Sequence, residues 1–492
     1  MSIANYFHLI KPRLILISII LLGIALHWNV WNLDIMGIHA WRQTQTMTVV
    51  ENFAAEDMNI LNPRINARGD GDGIFRMEFP LMQWIFAWFY KWFGSELIVV
   101  RILTFLISLF SAFGFYRLLR EYKQSELVST IGAWCFSWSP VLFYYAVNPL
   151  PDNLALCFAI WSFIFLKRHQ KDYSIQSLVF FSIFLSLATA VKLPYILFGT
   201  GYIPLFVERL KSGNYKDGII KSLILGFILL PAAAWYLWVI PQWTNVALLG
   251  GIGAESEFDY ILTVNTLWGT FHSLLPELFL NYGSVLFFLF GIGVFLQTKG
   301  KFSQFKVELS MLFFISLYYL YEVNMIGLAH DYYLFPFLPL LFLVVAAGAK
   351  KVLNHRAAWL RYVGLIALIV LPATAYLRTQ GRWTPEGSAS LLVKHKTELR
   401  NLVPDDALVV AGNDPSSFIF LYHIGKKGWT FEQDWILSGD LQLQIDKGAK
   451  FFYSNTNFVE EEPTISLFLG EPIFNKDGIK VYPLRKPEGF GN

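Results

Sequence analysis

The sequence predicts an all-α polytopic membrane protein with about eleven transmembrane helices and a small α/β domain at its C-terminal end. The 492 residues are 55% hydrophobic and only 15% charged, whereas soluble domains are about 25% charged. Apolar runs long enough to cross about 30 Å of hydrocarbon recur through residues 1–380. Beyond them, helix and strand patterns alternate. This composition excludes a soluble globular protein.

Each apolar run is interpreted as one membrane span. The runs are centred near residues 23, 107, 136, 160, 183, 201, 230, 285, 316, 341 and 368. The first run, Leu14 to Leu26, is not followed by a small-residue cleavage site, so we expect a retained span rather than a signal peptide. Cys135 and Cys157 both fall inside apolar runs, which predicts buried thiols rather than a disulfide.

The basic residues indicate how the spans are oriented, because Lys and Arg are enriched in cytoplasmic loops. They cluster at alternate ends of the runs, at Lys11/Arg13, Arg117/Arg120/Lys123, Lys167/Arg168/Lys171, Arg209/Lys211/Lys216, Lys299/Lys301/Lys306 and Lys350/Lys351/Arg356/Arg361. The opposite short loops around Asn148–Asn153, Pro241–His272 and Met325–Tyr332 contain neither Lys nor Arg. We therefore expect a cytoplasmic N-terminus and an extracytoplasmic chain after Leu377.

Two outer regions are large, the first loop at 34–93 and the tail at 381–492. In the first loop, Met47, Val50 and Phe53 recur at helical spacing, which predicts an amphipathic helix on the membrane surface. The Pro- and Gly-rich stretch 62–73 predicts a mobile loop. A second interfacial helix begins at Pro80 and carries Trp84, Trp88 and Trp92 at four-residue steps, where they would anchor it at the interface.

The tail is predicted to form a separate small α/β domain, with the membrane domain ending at residue 380. The pattern gives an amphipathic helix at 391–403, strands at 407–411 and 450–454, a helix after Asp414-Pro415-Ser416 and a final hairpin near Ile473 and Val481. No GxGxxG, P-loop, HExxH or GxSxG motif occurs in it. Structural support or acceptor binding is therefore the expected role of the tail.

Ionisable side chains near the outer ends of the spans are candidate site residues, because a charge costs about 2.5–3.5 kcal/mol at the centre of a membrane helix and ionisable groups near the spans are therefore rare without a function. They are Asp34, His39, Arg42, Glu78, Asp152, Lys192, Glu322, His330 and Asp331. The set offers carboxylates that could act as a general base and cations that could bind phosphate. These are the groups that sugar transfer from a lipid phosphate requires.

Several motifs occur in the order found in a known family. They are Asp34 with His39-Ala-Trp41-Arg42-Gln43-Thr44, Glu51-Asn52-Phe53, Asn62-Pro63-Arg64-Ile65, Met77-Glu78-Phe79-Pro80-Leu81, Phe93-Gly94 with Arg101, Ser139-Pro140 through Tyr144-Tyr145 to Pro151-Asp152, Ala190-Val191-Lys192-Leu193-Pro194, and His330-Asp331-Tyr332-Tyr333. Over residues 10 to 350 the chain resembles the lipid-phosphate-dependent GT-C glycosyltransferases. It is most similar to the bacterial branch related to protein mannosyltransferases and to the aminoarabinose transferase of lipid A. The tail resembles that branch only as a domain type.

The resemblance implies an integral membrane glycosyltransferase, hexosyl or pentosyl, of GT-C type. A sugar would pass from a polyprenyl-phosphate donor to an extracytoplasmic protein, lipid or glycan acceptor. Membrane lipids, but no nucleic acid, would be partners, and a bacterial inner membrane would be the location. The implied catalytic residues are Asp34, as the base, and Asp152.

The substrate contacts implied by the resemblance come from seven further positions, His39, Arg42, Gln43, Glu78, Lys192, His330 and Tyr332. Two departures from the branch are visible. The Asp-Glu pair that heads the first surface helix is replaced by His-Ala-Trp-Arg-Gln, and the Lys of a Lys-Pro-Pro element is replaced by Glu78-Phe79-Pro80. Phosphate contacts would therefore come from Arg42, Lys192 and His330.

Several of these residues could instead have a purely structural role. Asp34 could cap a helix end, Asp152 could cap the fourth span, and Glu78 could interact with a helix dipole. Arg42 and Lys192 could contact lipid headgroups, and His330 could be an ordinary interfacial residue.

The cofactor requirement is open. Members of the fold superfamily differ in their use of a divalent metal, and no His or Cys spacing typical of a metal site occurs in the sequence. Two other functions also stay open. A transporter or flippase of a lipid-linked substrate would place charges near the bilayer midplane, and a membrane scaffold would act through its tail.

Overall fold

The computed structural model describes residues 12–243, 260–297, 302–323, 330–385, 389–432 and 436–487. The α-helices, in chain order, are α1 (Pro12–Leu26), α2 (Ala40–Ala55), α3 (Leu81–Phe93), α4 (Leu97–Glu121), α5 (Glu126–Ser137), α6 (Pro140–Tyr145), α7 (Pro151–Asp172), α8 (Ile175–Val191), α9 (Ile203–Lys211), α10 (Tyr215–Val239), α11 (Tyr260–Gly269), α12 (Tyr282–Gln297), α13 (Lys306–Tyr321), α14 (Leu338–Leu353), α15 (Ala358–Thr379), α16 (Ala389–Lys394), α17 (Lys396–Asn401), α18 (Ile419–Ile424), α19 (Ser438–Asp446), α20 (Phe458–Glu461) and α21 (Pro463–Ser466). The strands are β1 (Leu408–Gly412), β2 (Lys427–Phe431), β3 (Ala449–Ser454), β4 (Phe474–Lys476) and β5 (Ile479–Pro483). The structure confirms two parts of the predicted fold class, the mostly helical chain and the small C-terminal sheet.

The chain forms two compact units. The first unit consists of Met1–Trp31, Met77–Phe79 and Val100–Gln380. The second unit consists of Asn32–Arg76, Pro80–Val99 and Gly381–Asn492. Most of the first outer loop therefore belongs to the same compact unit as the tail.

The first unit contains the apolar helices, and a helix of the α or 3-10 type covers each of the eleven predicted centres. Four helical segments of the described chain are long and apolar enough to cross a membrane, namely Leu97–Glu121, Tyr215–Gln242, Asp331–Leu353 and Ala358–Trp383. A fifth candidate is the pair Tyr260–Phe279 and Tyr282–Gln297, which is bent by 113°. The count of about eleven spans stays a prediction.

The outer surface of these helices is apolar. Phe227 and Leu237 on α10 are 73% and 77% exposed, and Ile369 on α15 is 72% exposed. Large apolar side chains that are exposed together would be unfavourable in water, but they are stable against lipid chains. Cys135 and Cys157 are free thiols and both are buried, as expected.

Helices α12 and α14 cross closely because glycines lie at their contact. A Cβ atom on Gly348 would approach the Phe287 carbonyl oxygen to 1.7 Å, and one on Gly291 would approach the Val344 carbonyl oxygen to 2.0 Å. Small residues of this kind allow membrane helices to pack backbone against backbone.

The second unit contains a five-stranded sheet with the order β2-β1-β3-β5-β4. Strand β1 pairs in parallel with both β2 and β3, whereas β5 is antiparallel to β3 and β4. Both faces of the sheet are covered by apolar clusters, one including Val409, Ala411 and Tyr453 and the other including Val410 and Phe452. The predicted strands at 407–411 and 450–454 correspond to β1 and β3, and β4 and β5 form the predicted hairpin.

Strand β2 was not predicted from the sequence, because Lys427 and Gly428 interrupt any alternating pattern. Tertiary contacts explain its formation. Gly428 has a φ of 147°, and a Cβ at this position would approach the Val409 carbonyl oxygen to 2.0 Å. Glycine is therefore required where β2 packs against β1.

The first outer loop covers the free edge of β2. The Gly69 backbone N–H donates to the Gly428 carbonyl oxygen at 2.7 Å, and the Gly428 N–H donates to the Asn66 carbonyl oxygen at 3.0 Å. Ala67 and Gly428 form a parallel bridge. Stretch 62–73 is thus hydrogen-bonded to the sheet, which the Pro- and Gly-rich pattern did not indicate.

Helix α2 is present as expected, but its environment differs from that of a surface helix. All side chains from Arg42 to Val50 are buried, the polar ones included. Asn52 donates from its side chain to the Arg64 carbonyl oxygen and to the Asn66 side chain, both at 3.0 Å. Protein groups therefore enclose most of α2.

Helix α3 carries the expected tryptophan stripe. The ring centres of Trp84 and Trp88 are 5.9 Å apart, as are those of Trp88 and Trp92. Trp92 is 65% exposed. An exposed aromatic side chain at the end of the stripe is suited to the membrane interface.

Gly428→Ala should destabilise the second unit by about 1–3 kcal/mol, because the new methyl group must displace the β1 backbone. The matched control is Gly439→Ala, since a Cβ at Gly439 meets no atom within 4 Å. Thermal unfolding of the purified protein in detergent should show a lower Tm for Gly428→Ala only. Equal Tm values for the two variants would contradict the close packing of β2 on β1.

Candidate functional site

A buried ion pair lies at the start of α7 in the first unit. Asp152 occupies the first turn of α7 and is 2% exposed. Its Oδ2 atom lies 3.8 Å from the Nζ atom of Lys192, which follows α8 in an extended conformation. Asp152 Oδ2 has no hydrogen-bond partner among the residues that the structure describes. A buried carboxylate oxygen without a hydrogen bond destabilises the folded protein. Buried polar groups of this kind are typical of sites that bind a ligand or carry out a reaction.

Tyrosine side chains surround this pair. The Tyr195 hydroxyl donates to the Asp152 carbonyl oxygen at 3.3 Å. The Lys192 ammonium lies 4.9 Å from the centre of the Tyr333 ring, within the range of a cation–π interaction. Lys192 is thus held between a carboxylate and an aromatic ring.

The segment His330-Asp331-Tyr332-Tyr333 brings further polar groups to the same place. The His330 ring centre lies 5.4 Å from that of Tyr333 and 5.6 Å from that of Tyr332. Tyr332 is 1% exposed. Asp331 is buried and accepts a hydrogen bond from the Tyr145 hydroxyl at 2.9 Å. The structure therefore brings Lys192, His330 and Tyr332 together around Tyr333.

Glu78 lies near the end of α8. The preceding residue, Met77, accepts a hydrogen bond at its carbonyl oxygen from the Trp235 indole at 3.0 Å. The following residue, Phe79, donates from its backbone N–H to the Ala190 carbonyl oxygen at 3.0 Å. Glu78 is half-buried. Ala190 lies two residues before Lys192. The hydrogen bond from Phe79 to Ala190 therefore places Glu78 beside the C-terminal end of α8, next to Lys192.

A buried polar network fixes the loop before α7. Arg101 donates to the Val147 carbonyl oxygen at 2.9 Å and to the Asn148 side chain at 2.8 Å. Asn153 donates to the carbonyl oxygens of Tyr145 and Asn148 at 2.9 and 3.1 Å. Charged and amide donors that satisfy buried carbonyl groups make a loop rigid. This network holds the Pro151-Asp152 turn in place.

Glu322 follows α13 in the first unit, whereas Asp34, His39, Arg42 and Gln43 lie in the second unit. His39 is the residue before α2, with a φ of 57°, and its carbonyl oxygen accepts from the backbone N–H groups of Arg42 and Gln43. Arg42 is 5% exposed and donates to the Gln45 side chain. The Gln43 side chain donates to the Ile38 carbonyl oxygen at 3.0 Å. The start of α2 is therefore an ordered polar segment.

Asp34 forms an ion pair that sequence reasoning missed. Its Oδ1 atom contacts the Nζ atom of Lys396 at the start of α17, in the tail. Glu51 on α2 is influenced by the same groups. Burial raises the pKa of the Glu51 carboxyl, and the charges of Arg400 and Lys396 act in the opposite direction. No sequence pattern indicated Lys396, because it is separated from Asp34 by more than 300 residues of chain.

Metal ligands do not cluster in the part of the chain that the structure describes, since no group of three His, Cys, Asp or Glu side chains is close enough to hold an ion. The chemistry available from the residues themselves is ionic and acid–base. Asp152 and Lys192 provide opposite charges in a buried setting, and Asp34 provides a partly exposed carboxylate.

Comparison with known proteins identifies the fold. A family model described as dolichyl-phosphate-mannose-protein mannosyltransferase matches residues 78–238. The chain is similar to the crystal structure of ArnT from Cupriavidus metallidurans bound to undecaprenyl phosphate, with a TM-score of 0.63 and 11% identity over 94% of this chain and 97% of that chain. The apo state of the same protein gives a TM-score of 0.60 and 12% identity over the same shares.

A second group of solved structures is similar over nearly the whole chain. The archaeal oligosaccharyltransferase AglB from Archaeoglobus fulgidus, in complex with an inhibitory peptide and a dolichol-phosphate, gives a TM-score of 0.56 and 11% identity over 99% of this chain and 75% of that chain. No curated protein matches the chain by sequence. The chain has the GT-C glycosyltransferase fold, as the resemblance found in the sequence predicted, and several of its described helices are long and apolar enough to cross a membrane.

Lys192→Met should destabilise the first unit by about 3 kcal/mol, because it leaves the buried Asp152 carboxylate without a countercharge. The double variant Asp152→Asn/Lys192→Met should recover most of this loss. Lys171→Met is the control, since Lys171 is 42% exposed in its pair with Glu121 and such pairs contribute at most about 1 kcal/mol. Thermal unfolding in detergent measures all three, and an equal Tm for the two single variants would argue against a buried pair.

Proposed function

We propose that this chain is an integral membrane glycosyltransferase that transfers a sugar from a polyprenyl-phosphate donor to an acceptor outside the cytoplasm. The observation that carries the proposal is the buried Asp152–Lys192 pair, in which one carboxylate oxygen has no hydrogen-bond partner among the described residues. The GT-C fold supports it, because ArnT and AglB with this fold are solved in complex with undecaprenyl phosphate and a dolichol-phosphate.

The donor phosphate would bind at Lys192, with His330 beside it. The Lys192 ammonium can stabilise the negative charge that develops on the phosphate as the sugar leaves. The Tyr332 and Tyr333 rings give this site apolar walls, which strengthen the interaction between the ammonium and the phosphate. Arg42 and Gln43 are proposed to contact the donor from the start of α2, and Glu78 and His39 the sugar.

Asp34 is proposed as the general base. The acceptor hydroxyl attacks the anomeric carbon, the bond from that carbon to the phosphate oxygen breaks, and the hydroxyl proton passes to Asp34. Asp152 would orient Lys192 and contact the sugar. The proposed orientation is a cytoplasmic N-terminus, an extracytoplasmic tail and location in a bacterial inner membrane, in agreement with the distribution of basic residues.

Undecaprenyl phosphate should raise the Tm of the purified protein by several degrees, because a ligand that binds only the folded state stabilises it. Undecaprenol, which lacks the phosphate, should have a much smaller effect. The shift should be largely lost in Lys192→Met and kept in Lys171→Met. If neither undecaprenyl phosphate nor dolichyl phosphate stabilises the wild-type protein more than undecaprenol does, the proposed donor class is wrong.

Asp34→Asn should lower transfer by about 10²–10⁴-fold, the usual contribution of a general base. The assay compares surface glycoconjugates by mass spectrometry in a deletion strain that carries the wild type, Asp34→Asn or the control Asp70→Asn. Asp70 is 47% exposed and pairs with Lys447. Glycoconjugates identical to wild type in the Asp34→Asn strain would exclude Asp34 as the base.

A further inference from the structure

The ion pair between Asp34 and Lys396 joins the first outer loop to the tail within the second unit. Asp34 lies shortly after α1, and Lys396 is the first residue of α17. Their side chains are 26% and 23% exposed. The pair is therefore partly shielded from water, and its strength exceeds that of an ordinary surface pair.

Only one oxygen of the Asp34 carboxylate is used in this contact. Lys396 binds Oδ1, and Oδ2 accepts no hydrogen bond from the residues that the structure describes. A carboxylate held at one oxygen is restrained in its orientation, and its second oxygen keeps lone pairs that can accept a proton. This is the arrangement that a general base requires.

Lys396 is itself held in a rigid setting. Its ammonium lies 5.8 Å from the centre of the Tyr422 ring. Arg400, one turn further along α17, donates to the carbonyl oxygens of Tyr422 and His423, both at 2.9 Å. Leu399 is fully buried in the core of the tail domain. Helix α17 therefore fixes the backbone from which the Lys396 side chain extends.

The His423 side chain lies close enough to the ion pair to feel the charges of both partners. Burial lowers the pKa of His423 to about 3, with the nearby Lys396 charge acting in the same direction. His423 is therefore neutral at physiological pH and does not compete with Lys396 for the Asp34 carboxylate.

A neighbouring lysine provides a direct contrast. Lys394 is 60% exposed and pairs with Asp477, which is 43% exposed. Lys394 lies two residues before Lys396 on the tail surface. Solvent-exposed ion pairs such as Lys394–Asp477 contribute little to stability. The tail therefore offers two lysines with nearly the same position in sequence and different environments.

We propose that Lys396 is a positioning residue that orients Asp34 for proton abstraction. The inference rests on the proposed function, in which Asp34 is the base. Lys396 touches neither donor nor acceptor in this scheme, and its loss should slow the chemical step while leaving donor binding intact.

Lys396→Ala should lower kcat by about 10- to 100-fold, since small misplacements of a reacting group cost this much. The KM for the donor and the Tm shift given by undecaprenyl phosphate should be unchanged. Lys396→Arg should keep most of the activity, because the guanidinium retains the positive charge. Lys394→Ala is the matched control and should behave as the wild type.

Chemical rescue separates positioning from a structural role. Lys396→Cys should be slow, and alkylation with 2-bromoethylamine should restore the rate, because the thiolate displaces bromide and the product is a lysine analogue that carries an ammonium. Iodoacetamide, which adds a neutral group, should not restore it. Cys135 and Cys157 are buried. Among the described residues, the reagents therefore reach the introduced thiol in preference to the native ones.

Three outcomes distinguish the positioning role of Lys396 from the proposed base. If Asp34→Asn abolishes transfer but Lys396→Ala retains wild-type kcat, the positioning role is wrong and the proposed base stands. If Asp34→Asn is fully active, the base assignment and the role of Lys396 both fall. A Lys396→Cys enzyme that stays slow after 2-bromoethylamine treatment would also overturn the positioning role.

Discussion

The free energy required to bury charge determines where this chain can place its ionisable side chains. A charge within hydrocarbon needs a partner or a water-filled surrounding, and an apolar helix offers neither along its length. Asp152 and Lys192 satisfy the requirement by lying at the ends of neighbouring helices, where each compensates the other. Tyr195 and Tyr333 supply further polar and aromatic contacts. The candidate site is therefore located where helix ends and loops replace regular spans.

The same requirement explains which features could be predicted from sequence. Long apolar runs were expected to be helical, because a helix satisfies its backbone hydrogen bonds within one segment, and a helix covers every predicted centre. Asp152, Lys192 and His330 could be proposed because ionisable residues beside apolar runs are rare and need a reason. The strands β1 and β3 followed from continuous apolar segments bounded by turn residues.

The remaining features depend on contacts between distant segments. Strand β2 forms because Gly428 fits against Val409, although its own sequence favours no strand. The spacing of apolar residues in α2 predicted an amphipathic helix on the membrane surface, but Arg42 and the polar residues that follow it are buried by protein. The contact of Lys396 with Asp34 joins positions that are far apart in the sequence. A single sequence carries no local signal for such pairs, because the partner that stabilises each residue lies elsewhere in the chain.

The covering of β2 by residues 66–69 has a consequence for the tail as an isolated fragment. An outermost strand presents N–H and C=O groups that can pair with a strand from another molecule. In the intact protein, Asn66 and Gly69 occupy those groups, and the opposite edge of the sheet is the three-residue strand β4. A fragment that begins after the last apolar helix would lose this cover, and its sheet would be open to self-association and aggregation.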